Sequence, residues 1–141
     1  MTGTKAFIDT NIFVYAVDES PSERRKHDIA AHLLAEDKSA RAVSTQVLQE
    51  FYVTVTRTLN TLMSPERAGQ AVRRMSTLDV VRLDESLVLE AISTSQTAMM
   101  SLWDALIVEA ARTAGCARIL TEDLSHGQVV RGVEVVNPFL G

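Results

Sequence analysis

Acidic side chains stand where short apolar segments of the sequence give way to a turn or a helix. Asp9 ends the apolar run 6–8 and begins the turn Asp9-Thr10-Asn11, and Asp123 follows the apolar segment 119–120 at a similar exit. Carboxylates gathered in one crevice repel each other, and their pKa values rise unless a cation is present. Such a cluster suits Mg²⁺ or Mn²⁺, which take oxygen ligands and serve phosphate chemistry.

Each acid also has an ordinary structural explanation. Asp9 can cap the helix that follows it, because Asp in such a turn accepts hydrogen bonds from the next backbone N–H groups. Asp104 stands three residues after Ser101, which is the spacing of a capping box, although it also falls at the edge of an apolar stripe. Glu50 projects away from the apolar stripe of its own helix, as a surface acid does. Asp123 can belong to a solvated turn, so the residues alone leave both interpretations open.

The composition describes a globular protein of the reducing cytoplasm. With 141 residues, of which 46% are hydrophobic, we expect a single domain over residues 1–141 and exclude a disordered chain. No apolar run approaches the roughly 20 residues of a membrane-spanning helix, and Met1 to Lys5 do not begin a secretory signal. The single cysteine, Cys116, allows no intramolecular disulfide, and its small neighbours predict a buried side chain rather than a nucleophile. We therefore expect a cytoplasmic location and no membrane partner.

The net charge of −4 argues against a protein that binds nucleic acid by bulk electrostatics. A polyanionic substrate would need local cations, either bound metal or the patches Arg24-Arg25-Lys26 and Arg73-Arg74, which are otherwise solvated helix faces. The histidines His27, His32 and His126 are too scattered for a metal triad, and His126 can cap a loop or touch substrate. The sequence contains no glycine-rich loop of the kind that cradles nucleotide phosphates.

Short apolar segments alternate with helical patterns along the chain. Strands are predicted at 6–8, 42–43, 80–81, 119–120 and 133–136, and helices over about 12–17, 20–34, 45–59, 84–96 and 101–115 with a further one beginning at 64. This alternation predicts an α/β fold with a parallel sheet covered by helices on both faces. The spacing also predicts that Phe51, Ile92 and Trp103 face the core. Loops at the carboxyl ends of such strands meet in one crevice, where a site is expected.

Four segments taken together resemble the PIN-domain family, and in particular the VapC-type toxins of bacterial toxin–antitoxin pairs. They are Phe7-Ile8-Asp9-Thr10-Asn11, Thr45-Gln46-Val47-Leu48-Gln49-Glu50-Phe51-Tyr52, Ser101-Leu102-Trp103-Asp104-Ala105-Leu106-Ile107 and Leu120-Thr121-Glu122-Asp123-Leu124. The tail from His126-Gly127 to Asn137-Pro138-Phe139 is also similar, so the resemblance covers nearly the whole chain.

The resemblance implies a three-layer α/β/α sandwich around a central parallel sheet and an endoribonuclease that depends on Mg²⁺ or Mn²⁺. The catalytic acids carried over to matching positions are Asp9, Glu50, Asp104 and Asp123, of which Asp9, Asp104 and Asp123 would be metal ligands. The supporting polar residues would be Thr10, Asn11 and Thr121, whereas Glu122 would be a variable neighbour of Asp123.

The mechanism implied by the resemblance is hydrolysis of an RNA phosphodiester by metal-activated water, leaving a 5′-phosphate and a 3′-hydroxyl. The resemblance further implies a homodimer and a cognate antitoxin whose C-terminal segment occupies the crevice, with DNA bound only through the antitoxin. Two alternatives are a non-catalytic PIN scaffold that binds RNA or protein partners and a phosphotransfer enzyme with Asp9 as nucleophile. The second is disfavoured because Asn11 stands where such enzymes carry another Asp.

Overall fold

The computed structural model describes residues 5–36 and 38–141. Residues 1–4 of the predicted domain, for which no secretory signal was predicted, lie outside the described residues. The strands are β1 (Ala6–Ile8), β2 (Arg41–Ser44), β3 (Asp79–Val81), β4 (Arg118–Leu120), β5 (Val129–Val130) and β6 (Val133–Val136). The helices are α1 (Thr10–Val17), α2 (Arg24–Leu34), α3 (Thr45–Thr56), α4 (Pro65–Met75), α5 (Glu85–Ala98) and α6 (Leu102–Thr113). Two short 3₁₀ turns, Pro21–Glu23 and Lys38–Ala40, precede α2 and β2.

The strands form one sheet in the order β3-β2-β1-β4-β6-β5, in which the first five are parallel. The chain moves outward from β1 through β2 to β3 and then returns to place β4 on the other side of β1. Because parallel crossovers are right-handed, this reversal puts α5 and α6 on the opposite face from α1 to α4. The predicted α/β fold is confirmed, and the reversal between β1 and β4 creates the crevice in which α/β proteins bind ligands.

The edge strand β5 was not predicted, and it runs antiparallel to β6. Its two residues are too few for a periodic pattern, and the turn that joins it to β6 is Arg131-Gly132, both with positive φ (50° and 83°). Hairpin turns of this kind usually carry Asn-Gly or Asp-Gly, so Arg-Gly was a weak signal for this one. The Arg131 guanidinium lies 3.3 Å from Oε2 of the buried Glu109, which anchors the turn to α6.

The helix starts follow the capping signals of the sequence. The side chains of Ser44, Ser64, Asp84 and Ser101 each accept a hydrogen bond from a backbone N–H in the first turn of the helix that they precede. The predicted end of α3 was wrong, because the helix stops at Thr56 and Leu59 is 83% exposed. The run 53–56 is β-branched at every position, which disfavours a helix, and the chain then folds back so that Leu62 N donates to Val55 O at 2.9 Å.

The core lies on both faces of the sheet and contains all of β1. Phe51 is 1% exposed as predicted, whereas Ile92 (38%) and Trp103 (65%) are exposed, so their predicted core positions were wrong. Both residues satisfy the helical period, but the buried face of each helix is formed by other residues, such as Ala91 in α5. Cys116 is buried, and burial raises the pKa of its thiol to about 11, which agrees with an inert side chain. No helix in the described ranges combines the length and apolar character needed to span a bilayer.

Candidate active site

The turn that follows β1 carries the most buried acid of the site. Ile8 pairs with Leu120 in the sheet, so the residues that follow them, Asp9 and Thr121, emerge side by side at the carboxyl edge. Thr121 Oγ1 donates to Asp9 Oδ2 at 2.8 Å, and the backbone N–H of Thr10 donates to Asp9 Oδ1 at 2.7 Å. Asp9 therefore caps α1, as one interpretation predicted, and its second oxygen is held toward β4.

Thr10 brings the acid of α3 to this turn. Its hydroxyl donates to Glu50 Oε1 at 2.9 Å, across the contact between the first turn of α1 and the middle of α3. Glu50 projects away from the core side of α3, as its periodicity indicated, but α1 packs beside that face. The packing of α1 against α3 places Glu50 at the site.

Asn11 brings in the acid that follows β4. Its amide Nδ2 donates to Asp123 Oδ2 at 3.1 Å and to Thr121 Oγ1 at 3.0 Å. The Asn11 side-chain oxygen Oδ1 accepts from the backbone N–H of Glu122 at 3.3 Å, and the backbone N–H of Asp123 donates to Thr121 Oγ1 at 3.0 Å. The loop after β4 is thereby fixed against α1, with Asp123 beside Asp9 and exposed to solvent.

Asp104 lies in the first turn of α6, where its backbone N–H donates to the capping Ser101 Oγ at 3.1 Å. Within residues 5–36 and 38–141, no hydrogen bond connects the Asp104 carboxylate to the groups that hold Asp9, Glu50 and Asp123. The nearest link is Gln46, whose Nε2 lies 3.4 Å from Glu50 Oε2 and 3.3 Å from the Trp103 carbonyl oxygen. Gln46 was not predicted as a site residue, although its position one helical turn before Glu50 was a signal that could have identified it.

The carboxylates are not neutralised by basic side chains. None of the ion pairs found in the described part of the chain includes Asp9, Glu50 or Asp123. Burial raises the pKa of Asp9 to about 6, with smaller contributions from the charges of Asp123 and Glu50, against the lowering effect of the hydrogen bonds from Thr10 and Thr121. The site therefore carries negative charge that a cation would stabilise.

The same carboxylates do not form a closed ligand cage. Within the described ranges, no three His, Cys, Asp or Glu side chains are grouped closely enough to hold a metal ion by themselves. Mg²⁺ does not require such a cage, because it usually keeps several waters and binds one or two carboxylates together with substrate phosphates. The carboxylates leave room for water ligands, and they carry negative charge without basic partners. They therefore fit a hydrated hard cation.

The match to a family model decides the relationship of this chain to known proteins. Residues 6–131 match the model of the PIN domain. The chain belongs to the PIN-domain family. PIN domains are nucleases that generally use a divalent metal. A comparison with curated protein sequences found no match.

Solved structures share this PIN fold along nearly the whole chain at low sequence identity. A toxin–antitoxin complex from Klebsiella pneumoniae has a TM-score of 0.70 at 19% identity, covering 95% of this chain and 98% of that one. The DNA-bound VapBC complex from Salmonella typhimurium has a TM-score of 0.67 at 18% identity, with coverage of 94% and 97%. VapC20 of Mycobacterium tuberculosis, a toxin that cleaves the sarcin–ricin loop, has a TM-score of 0.63 at 19% identity, with coverage of 84% and 92%.

Glu122 serves the fold of this PIN domain rather than its acidic cluster. Tyr15 Oη donates to Glu122 Oε2 at 2.7 Å, and Lys26 Nζ lies 3.0 Å from Glu122 Oε1. The Lys26 ammonium also stands 5.6 Å from the centre of the Phe139 ring, and Arg25 donates to the Phe139 carbonyl oxygen at 2.7 Å. These contacts join α1, α2, the loop after β4 and the chain end, so Arg25 and Lys26 of the basic run have structural partners.

A groove of about 910 Å³ continues from the acidic residues between α1 and α3. Its charged lining residues are Asp18, Glu23, Glu50, Arg57, Glu122 and Asp123. Its apolar lining includes Val14, Val53, Leu59 and Leu62, and of these Val53 and Leu59 are among the most exposed apolar side chains. The groove is thus lined by apolar side chains together with more acidic than basic residues.

His126 acts as a cap in the loop before β5. Its Nδ1 accepts a hydrogen bond from the backbone N–H of Asn137 at 3.0 Å, which identifies the tautomer with the proton on Nε2. This contact supports the capping interpretation of His126. The Asn137 side chain in turn accepts from the Phe139 N–H at 2.9 Å, so the chain end is ordered by successive caps.

Proposed function

We propose that this PIN domain is a divalent-metal-dependent endoribonuclease and the toxin of a type II toxin–antitoxin system. The observation that supports the proposal most directly is the convergence of Asp9, Glu50 and Asp123 on the Asp9-Thr10-Asn11 turn without a basic partner. Such an arrangement costs stability in the absence of a cation and suits a site that acts on phosphate. The low-identity toxin structures with the same fold add support for the toxin role.

The metal in this proposal is Mg²⁺ or Mn²⁺, held by Asp9, Asp104 and Asp123. Their carboxylate oxygens are the ligands that these hard ions prefer. When bound, such an ion supplies an activated water and offsets the charge that develops on the phosphate. Thr121 and Asn11 position Asp9 and Asp123 through the hydrogen bonds described above.

Glu50 is the acid that we assign to proton transfer. It is exposed to the groove and is held through one carboxylate oxygen by Thr10. Water attacks phosphorus and gives its proton to Glu50, while the bond from phosphorus to the 3′ oxygen breaks. The 3′ oxygen takes a proton from solvent, so the products are a 5′-phosphate and a 3′-hydroxyl.

The antitoxin is proposed to occupy the groove between α1 and α3. The apolar lining residues fit the hydrophobic side chains of a peptide segment, and the acidic lining residues fit a basic side chain that would pair with the carboxylates. Bound there, the segment would cover the site and block substrate. We further propose a homodimer in the cytoplasm and contact with operator DNA only through the antitoxin, in agreement with the net charge of −4.

The test is metal-dependent cleavage by purified wild-type, Asp9→Asn and Asp104→Asn proteins, with Glu134→Gln as the control. Glu134 is an exposed acid on β6, away from the carboxyl edge, so its variant should match the wild type. We expect both aspartate variants to lose cleavage while remaining folded by circular dichroism. Full cleavage by either variant would falsify the carboxylate site.

The toxin role is tested separately in cells. Expression without a partner should arrest growth, and mapping of cleaved ends on total RNA should show 5′-phosphates that are absent with Asp9→Asn. Harmless expression of folded protein would contradict the toxin role. A folded chain that binds a partner but cuts no RNA with Mg²⁺ or Mn²⁺ would instead establish the non-catalytic scaffold.

A further inference from the structure

Trp103 is an aromatic side chain that the fold leaves in solvent, one residue before Asp104. It is 65% exposed, whereas Phe51, which has the same apolar character and also lies on a helix, is 1% exposed. An indole in solvent forgoes the stabilisation that burial of so large a ring provides. Trp103 directly precedes Asp104 in the first turn of α6. Its indole is therefore accessible to a ligand that binds next to Asp104.

The backbone of Trp103 is tied to the site by Gln46. The buried Gln46 amide points its NH₂ group at two acceptors, the Trp103 carbonyl oxygen at 3.3 Å and Glu50 Oε2 at 3.4 Å. A flipped amide would set its oxygen against both acceptors, so the orientation is fixed by chemistry. The Trp103 carbonyl is therefore separated from the Glu50 carboxylate by a single nitrogen atom.

We propose that the Trp103 indole is a stacking platform for an unpaired RNA base next to the phosphate that is cut. Proteins that recognise single-stranded RNA stack its bases on aromatic side chains, whereas the bases of a duplex are already stacked within the helix. Stacking also contributes affinity for RNA that does not depend on salt. This contribution is important here because a chain with a net charge of −4 does not attract the phosphate backbone as a whole. The inference rests on the proposed ribonuclease function and assigns Trp103 the role of binding a base.

A second copy of the chain is the other occupant that an exposed indole could have. An aromatic side chain buries at most about 250 Å², and a stable interface needs about 800 Å² from each partner. Trp103 alone is too small for such an interface, but it is the right size for one base. Met99, which is 91% exposed in the connection before α6, is the nearest exposed apolar residue along the chain. The experiment below separates the two occupants.

Trp103 is the only tryptophan of the chain, so intrinsic fluorescence reports on this side chain alone. The Asp9→Asn protein is titrated, with Mg²⁺, with a short single-stranded oligoadenylate and with abasic RNA of the same length. We expect the oligoadenylate to quench the emission and the abasic RNA to leave it unchanged. Equal quenching by the two would overturn the proposal, because a backbone contact would then explain the signal. A change of emission with protein concentration alone, matched by dimer formation in sedimentation, would assign Trp103 to a second copy.

Variants extend the test to cleavage in the otherwise wild-type chain. Trp103→Ala should weaken oligoadenylate binding and raise KM by about tenfold, while Trp103→Phe keeps a ring and should retain most of the affinity. Leu89→Ala, at another exposed apolar position on α5, is the matched control and should behave as wild type. Unchanged KM for Trp103→Ala in an active protein would overturn the stacking role and leave the ribonuclease intact. Absence of cleavage by the wild type would contradict the ribonuclease function, whatever the fluorescence shows.

Discussion

Asp9 and Thr121 are 112 residues apart in the sequence and share a 2.8 Å hydrogen bond, because each follows one member of the pair formed by Ile8 and Leu120. The Thr121 hydroxyl donates to Asp9 and accepts from Asn11 Nδ2 and from the Asp123 N–H, both at 3.0 Å. One buried hydroxyl thus orients the two strand-end acids together. The site depends on this group even though it has no charge.

Replacement of Thr121 by Val removes the hydroxyl and keeps the shape of the side chain. The Asp123 N–H and the Asn11 amide lose an acceptor, so the free energy of unfolding should fall by about 1–3 kcal/mol. The pKa of Asp9 should rise further, because the hydrogen bond from Thr121 lowers it in the wild type. Urea denaturation and a carboxyl ¹³C NMR titration measure the two effects. Thr121→Ser retains the hydroxyl, so the pKa of Asp9 should stay at its wild-type value in this control. An unchanged Asp9 titration in Thr121→Val would contradict the role of the hydroxyl.

The raised pKa of Asp9 predicts a pH-dependent loss of stability in the metal-free protein. The folded-state pKa is about 6 against the ordinary value of 3.8, so the folded state binds the proton more tightly than the unfolded state does. This contribution is fully present below pH 3.8 and is lost as the pH rises through 6. It amounts to about 3 kcal/mol, since one pKa unit corresponds to about 1.4 kcal/mol.

Asp9→Asn isolates this contribution, because asparagine does not titrate. With a metal chelator present, the free energy of unfolding of Asp9→Asn relative to the wild type should increase between pH 4 and pH 7. Addition of Mg²⁺ should reduce this difference in stability at neutral pH. Urea unfolding at several pH values, with and without Mg²⁺, gives the comparison. Parallel stability curves for the two proteins would show that Asp9 does not titrate in this range.

Glu122 and Asp123 are adjacent acids with opposite expected phenotypes. Glu122→Gln loses the ion pair with Lys26 while keeping an acceptor for Tyr15, so it should cost about 1–2 kcal/mol of stability and leave cleavage unchanged. Asp123→Asn should leave the fold stable and reduce cleavage. Thermal melts and single-turnover cleavage of the same preparations provide the comparison. The reverse pattern would mean that the two assignments must be exchanged.

Arg57 is the one cation among the described residues that line the groove, and it directly follows the last residue of α3. Its Nε donates to the Thr54 carbonyl oxygen at 3.1 Å, and it belongs to no ion pair found in the described residues, so the guanidinium can bind a phosphate. Arg57→Ala should weaken single-stranded RNA binding and reduce the slope of log K against log salt by about 0.7. Arg67→Ala, which removes an exposed arginine from α4 outside the groove, is the control. An equal slope change in both variants would indicate general electrostatic attraction instead.

Local signals were sufficient to predict most of the fold. The caps at Ser64 and Ser101 and the paired apolar runs of β1 and β4 are encoded within a few residues, so helix starts and central strands followed from the sequence. The end of α3 and the hairpin of β5 depend on chain reversals at Asn60 and Arg131, which adopt positive φ without being glycine. Asparagine tolerates positive φ and Gly132 follows Arg131, but neither signal is strong enough to locate a chain reversal.

The site was predictable only in part, for a related reason. Asp9 and Asp123 follow predicted strands, so their meeting follows from sheet topology. Glu50 could not be placed from the period of α3, because the partner that holds it, Thr10, belongs to another helix. Trp103 satisfied the helical period yet lies outside the core, since a period defines a face of the helix and not the element that covers it.

The Asp9-Thr10-Asn11 turn gathers groups from positions 9 to 123 of a chain of 141 residues. During synthesis, the first strand emerges from the ribosome long before Thr121 and Asp123 have been added. A nascent chain therefore carries the first acid of the site without the groups that orient it until β4 and the loop after it have been made.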